Sequence, residues 1–236
     1  MVLVEEALAM YIQITTRCNM KCKHCKFSCS PTRGKDMSLD LFRYAVRLAL
    51  DYEDHITIGG GEPTLHPDVL LMLGYISMLY DEDLRPFMVT NGTCDKKTWK
   101  ALVRAHEQEG IQLAVSRDPW HDEEKIQPWV WEDADRLKLW WGNTGTRTIE
   151  RGGRARRHIE ELESEAYGYG YETVRVTPLQ ECGPRVDPDG MVWADVPKKF
   201  GGGKIGPLDE GTLVFAMEAI SRADEAGVRS NPWHKA

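Results

Sequence analysis

About six times between Tyr11 and Thr177, a short run of β-forming residues gives way to a stretch whose apolar residues recur at helical spacing. Tyr11 to Thr16 alternates as a strand, and Leu41, Ala45, Leu48, Ala49 and Tyr52 then mark one face of a helix that Ser38 caps. The pair returns as His55–Ile58 with a helix from about Asp68 to Tyr80, and as Pro86–Thr90 with Trp99, Leu102, Val103 and His106. It returns again as Ile111–Val115 with Ile126, Val130, Leu137 and Trp141, and as Thr146–Ile149 with Ile159–Ala166. Thr173–Thr177 is the sixth strand, and Pro128 predicts an untidy start to the fourth helix. Strands that alternate with helices pair in parallel through right-handed crossovers. The pattern therefore predicts an α/β fold, an open partial TIM-type barrel of approximately (βα)6.

After Pro178 the texture becomes rich in glycine and proline. Pro188-Asp189-Gly190 predicts a turn, Met191–Ala194 a short strand, and Gly201-Gly202-Gly203 a flexible connector. Leu213, Ala216, Met217 and Ile220 form a last amphipathic helix that stops near Gly227. Residues 1–178 read as the barrel core, and 179–236 as a short C-terminal extension packing on it.

Composition narrows the class. Thirty basic against 37 acidic residues give a net charge of −7, which excludes a protein that coats nucleic acid through a general basic surface. The longest apolar run, Val69–Tyr80, is too short to span a bilayer, and Met-Val-Leu-Val-Glu-Glu lacks the basic start of a secretory signal. Four of the six cysteines fall within Cys18–Cys29, a spacing that suits shared metal better than disulfides. A reducing cytoplasm is the expected compartment.

Chemistry gathers at the strand ends. Cys18-x3-Cys22-x2-Cys25 follows the first strand and offers three thiols to iron, so a cluster of four irons would keep one open corner. Gly59-Gly60-Gly61-Glu62-Pro63 follows the second strand, Thr90-Asn91-Gly92 closes the third, and Ser116 to Asp122 follows the fourth. Arg147, Arg151, Arg154, Arg156 and Arg157 follow the fifth. In a parallel α/β barrel these loops share the catalytic face.

The cysteine loop, the glycine loop and the βα rhythm together resemble the radical S-adenosylmethionine (SAM) superfamily, over roughly three quarters of the chain. Asp118-Pro119-Trp120-His121-Asp122 and Gly153-Arg154-Ala155 are similar to a little-characterised subgroup of it. The resemblance implies a 4Fe-4S cluster on Cys18, Cys22 and Cys25, whose open iron takes the amino and carboxylate groups of SAM. Reductive cleavage would then yield a 5′-deoxyadenosyl radical that abstracts hydrogen from a substrate. His24 would stand beside the adenine, Gly59, Gly60 and Gly61 would let backbone approach the methionyl end, and Glu62 would receive its ammonium. Asn91 and Ser116 would contact the ribose or carboxylate. An electron donor such as flavodoxin or ferredoxin is implied as a partner.

Several residues keep two readings. His24 is an adenine neighbour or a surface imidazole, and Asp118 and His121 serve substrate contact or proton transfer, or Asp118 or Asp122 caps a helix start. Arg154 grips the SAM carboxylate or an anionic substrate, or it belongs to a solvated charged face. Cys182 with Pro188-Asp189-Gly190 resembles a degenerate SPASM-like module without its later cysteines. Cys182 is there a hydrogen donor to a substrate radical or a small buried residue. A peptide substrate fits that remnant, whereas a nucleotide or modified base fits the arginine loop. The rival of another class is a zinc-binding interaction protein using the three cysteines with His24 or Cys29, although structural zinc usually draws on two separated ligand pairs.

Overall fold

The structure, a computed structural model, describes residues 10–32, 34–52, 56–79, 86–141, 146–150, 154–169, 173–177, 183–194, 196 and 198–226. Four βα units open the chain: β1 (Met10–Thr15) with α1 (Leu39–Tyr52), β2 (Ile56–Gly60) with α2 (Val69–Leu79), β3 (Phe87–Thr90) with α3 (Lys96–Gln108), and β4 (Gln112–Ser116) with α4 (Pro128–Leu137). Then come β5 (Trp140–Trp141), β6 (Thr146–Glu150), α5 (Ile159–Gly168) and β7 (Thr173–Thr177). The chain continues through β8 (Arg185–Val186), β9 (Met191–Ala194), β10 (Gly203–Pro207) and α6 (Glu210–Glu225). Strands β1 to β5 lie side by side in chain order and pair in parallel, for example Ile12 opposite Ile58 and Thr90 opposite Val115. The sheet is open, as the alternation of the sequence predicts: an incomplete TIM-type barrel.

Local chemistry fixes the helix starts. Ser38 Oγ accepts from Leu41 N–H at 3.2 Å, and the Asp95 carboxylate accepts from the N–H groups of Lys97 and Thr98 at 2.9 and 3.1 Å; both satisfy donors that a first turn leaves orphaned. Pro128 occupies the first turn of α4, where its fixed φ suits the helix and no N–H is missed, while Gln127 before it makes no side-chain cap and its carbonyl is shared by the N–H groups of Val130 and Trp131. The end of α4 departs from expectation. Lys138 adopts the left-handed conformation (φ 58°, ψ 43°) and turns the chain, so Trp141 lies in β5 opposite Ser116 and not on a helix face.

Alternation along β1 and β2 separates two environments. Met10, Ile12, Ile14, Ile56 and Ile58 are buried in the main core with Phe42, Met72, Met88, Trp99 and Leu102. Each such side chain contributes about 1.5–3 kcal/mol when fully buried. Tyr11, Gln13, Thr15 and Thr57 point to the opposite, inner side of the barrel and are equally shielded, which leaves a polar interior below the strand-end loops.

The C-terminal segment extends the same sheet. β8 pairs in parallel with β1, and β9 and β10 follow antiparallel. Gly203 therefore begins a strand where the sequence suggests a connector, and a Cβ on Gly202 would lie 1.7 Å from the Val196 carbonyl. Among the described residues β6 and β7 form a separate parallel pair.

Candidate functional site at the strand ends

The chain leaves β1 through the cysteine loop. Cys18 is buried, Cys22 and Cys25 are partly so, and all pack with Met20, Phe27 and Cys29 in a small cluster of their own. The Met20 N–H points at Cys18 Sγ from 3.3 Å. Burial pushes the Cys18 thiol up to about 11 and the Cys22 thiol to about 12, with neighbouring thiolates adding to the rise. The neighbouring Cys29 thiol lowers the pKa of Cys25, and Cys29 is itself raised by the same neighbour and by burial. A cation would reverse the penalty on Cys18 and Cys22, because a coordinated thiol is deprotonated outright. Three soft sulfur donors in one loop fit an iron–sulfur cluster with one open position.

The glycine loop is pressed against this one. A Cβ on Gly59 would meet the Tyr11 hydroxyl at 2.1 Å, one on Gly60 (φ +141°) the Thr15 carbonyl at 2.2 Å, and one on Gly61 the Arg17 carbonyl at 2.0 Å. The three glycines are thus demanded by contact between loops before any ligand is considered. Glu62, with no exposed surface, accepts from Thr64 N–H (3.1 Å), Thr64 Oγ1 (2.6 Å), Thr90 Oγ1 (2.7 Å) and Asn91 N–H (2.6 Å). Burial raises its pKa, and the four donors oppose the rise. Its oxygens are engaged by the protein where the sequence suggests a ligand's ammonium.

Asn91 extends the seam. Its Nδ2 donates to Asn19 Oδ1 at 2.9 Å and reaches Cys18 Sγ at 3.9 Å, while its Oδ1 accepts from Thr93 N–H and Oγ1. The ends of β1, β2 and β3 are therefore one hydrogen-bonded floor. Ser116 closes β4 in register with β5.

After β4, Asp118 does two things. Oδ1 accepts from the N–H groups of Trp120 and His121 at 2.9 and 3.2 Å, the cap that the sequence allows, while Oδ2 lies 2.9 Å from His121 Nδ1 and 3.7 Å from His24 Nε2. His121 Nδ1 makes no hydrogen bond despite its close approach to Oδ2. The His24 ring stands 5.3 Å from Trp120 and 4.9 Å, edge-on, from His121. His24 is thus set in an aromatic and carboxylate environment and only partly exposed.

Arg154 reaches back from the loop after β6. Its guanidinium donates to the carbonyls of Cys22 and Cys29 and its N–H to that of Cys25. Both hands of this residue are on the cysteine loop, not on a solvated face. Lys23 pairs with Glu161 and Glu165 of α5, and Trp120 Nε1 donates to Glu165 at 2.8 Å. A cleft of about 360 Å³ opens here, lined in part by Cys22, Lys23, Trp120, Asp122, Lys125 and Glu165. Cys182, Arg151 and Gly153 lie outside the described residues.

Arg185 stands outside every motif of the sequence. It is buried on the inner side of the barrel, donates to Gln13 Oε1 at 3.1 Å and stacks 5.2 Å from Phe27 and 4.7 Å from Trp193. A two-residue strand behind Gly183-Pro184 carries no periodic signal to mark it.

The family model of the radical SAM superfamily matches residues 12–136, more than half of the chain. The subtilosin biosynthesis protein AlbA of Bacillus subtilis is 30% identical over 115 residues, which cover 47% of this chain and 25% of that relative. The chain thus spans far less than two thirds of the length of that relative. Among solved structures, anSMEcpe with bound AdoMet and the Cp18Cys peptide aligns over 97% of this chain and 86% of its own, with a TM-score of 0.54 at 13% identity. Streptococcus suis SuiB bound to S-adenosylmethionine aligns over 72% of this chain and 40% of its own, with a TM-score of 0.44 at 16% identity.

Proposed function

This chain belongs to the radical SAM superfamily, whose cofactors are a 4Fe-4S cluster and SAM, and we propose that Cys18, Cys22 and Cys25 hold that cluster while the surrounding strand ends hold SAM. When bound, the pair supplies reductive C–S cleavage and a carbon radical that takes hydrogen from a substrate. One observation carries the assignment. Asn91 bonds Asn19 of the cysteine loop through its side chain and Glu62 of the glycine loop through its N–H, so the three strand-end loops form a single seat.

Each residue has a task within that seat. His24, steadied by Trp120 and by Asp118 Oδ2, offers a ring for the adenine. The backbone of Gly59, Gly60 and Gly61 meets the methionyl end, and Glu62 anchors that backbone instead of touching the ammonium itself. Asn91 and Ser116 lie at strand ends within reach of a ribose or carboxylate. His121 and Asp118 are the pair poised to hold or move a proton on the substrate side, with Asp118 orienting the imidazole. Cys29 remains a thiol beside Cys25 and leaves the open corner free.

The substrate we favour is a peptide. AlbA is named for the biosynthesis of a bacteriocin, and the use of Arg154 on the cysteine loop withdraws the strongest feature that suits a nucleotide. A reducing compartment, the cytoplasm, and an electron donor such as flavodoxin or ferredoxin belong to this proposal; among the described residues no helix is long and apolar enough to cross a membrane. Metal and sulfide analysis after anaerobic purification tests the assignment. Iron with matching sulfide, lost in Cys22→Ala, supports it; stoichiometric zinc without sulfide supports the structural-zinc rival.

A further inference from the structure

Loops that present metal ligands need their own carbonyls satisfied, or the ligands wander. Within the cysteine loop the internal backbone bonds are long: Cys25 N–H to the Cys22 carbonyl is 3.3 Å, Ser28 N–H to the Cys25 carbonyl 3.4 Å, and Cys18 N–H to the Ser30 carbonyl 3.4 Å. These lie at the weak end of hydrogen-bond geometry. Bonds from outside the loop, such as that from Asn91 to Asn19, therefore help to fix its shape.

Arg154 supplies three more such bonds, all to carbonyls. Nη1 meets the Cys22 carbonyl at 2.6 Å, Nη2 the Cys29 carbonyl, and the backbone N–H the Cys25 carbonyl at 2.9 Å. One residue, more than 120 positions away in sequence, thus bonds three carbonyls spread along the loop, two of them belonging to proposed cluster ligands. The planar fork of arginine is pre-organised to span two carbonyls, which a flexible ammonium does at greater entropic cost, and its charge is permanent. The neighbouring Lys23 ion pairs with Glu161 and Glu165 join the same two segments, but through half-exposed side chains that contribute little.

We propose that Arg154 is a positioning residue for the cluster: a cationic staple that fixes the curvature of the cysteine loop and places one positive charge against the bound iron–sulfur core. This rests on the cluster assignment above. Two consequences separate geometry from charge. The hydrogen-bonding fork governs how firmly the cluster is held, since loss of an outer-shell partner typically weakens metal sites by roughly 10–100-fold. The charge raises the reduction potential, because net charge beside the sulfurs tunes it.

The test compares wild type, Arg154→Gln and Arg154→Lys after anaerobic reconstitution, reading iron release to a chelator and the potential by EPR-monitored titration. We expect Gln to release iron at least roughly tenfold faster and to lower the potential. Lys should restore the potential but not the retention. If Gln does not fold, as judged by circular dichroism, Lys alone decides through its faster iron release. Wild-type retention and potential in both variants would overturn the staple while leaving the cluster assignment intact. A wild-type protein that takes up no iron and sulfide would overturn both.

Discussion

The N–H of Asn91 lies 2.6 Å from Oε2 of Glu62, so a carboxylate with no exposed surface fastens the end of β3 to the end of β2. Replacing it with glutamine keeps the shape but turns an amide donor toward groups that already donate. Leaving a buried donor unsatisfied costs about 1–3 kcal/mol. We expect Glu62→Gln to lose stability in that range by anaerobic urea unfolding, and to bind less cluster.

Two glycines should respond oppositely to alanine. At Gly61 a Cβ would sit 2.0 Å from the Arg17 carbonyl, whereas at Gly74, on the exposed side of α2, it would meet nothing within 4 Å. Gly61→Ala is expected to destabilise the protein and reduce iron loading. Gly74→Ala should stabilise it by up to about 1 kcal/mol, the helix preference of alanine over glycine. Thermal unfolding of the two side by side checks both signs.

The contrast shows what was legible in the sequence. The strands β1 to β4 and their helices announce themselves because alternation and helical spacing are local properties, and the cysteine and glycine loops because their residue types are unusual. β5 was hidden. Trp141 falls at helical spacing from Leu137, and nothing about Lys138 signals that it will turn left-handed and end α4. β10 was hidden by its glycines and proline, being held as a strand by pairing with β9. The bonds of Glu62 to the end of β3 and of Arg154 to the cysteine loop could not be read at all, since those partners lie 28 or more and more than 120 residues away.

Asp95 gives a prediction with a pH sign. Hydrogen bonds from the Thr98 hydroxyl and N–H hold its pKa below the usual carboxylate range. A depressed pKa means that the folded state prefers the ion. The stabilisation is therefore full above about pH 4, the unfolded value, and is lost as pH falls through the folded value. Asp95→Ala should cost about 1 kcal/mol at neutral pH, the usual worth of a helix cap. The difference from wild type should shrink on acidification below about pH 4.

The environment of His24 predicts tolerance of ring for ring. If the imidazole serves as a face for adenine, His24→Phe should keep SAM affinity near that of wild type. His24→Ala should weaken it by roughly three- to tenfold, the equivalent of an aromatic contact worth about 0.5–1.5 kcal/mol. Equilibrium binding to the reconstituted, oxidised protein distinguishes the two.

The central claim is that the strand-end loops of β1, β2 and β3 seat a cluster that opens SAM. Its most direct test is anaerobic incubation of the reconstituted chain with a strong reductant and SAM, measuring 5′-deoxyadenosine by mass spectrometry. The account predicts 5′-deoxyadenosine from wild type and none from Cys18→Ala, Cys22→Ala or Cys25→Ala. A wild-type protein with a full cluster that yields no 5′-deoxyadenosine, or equal yields from the cysteine variants, would contradict it.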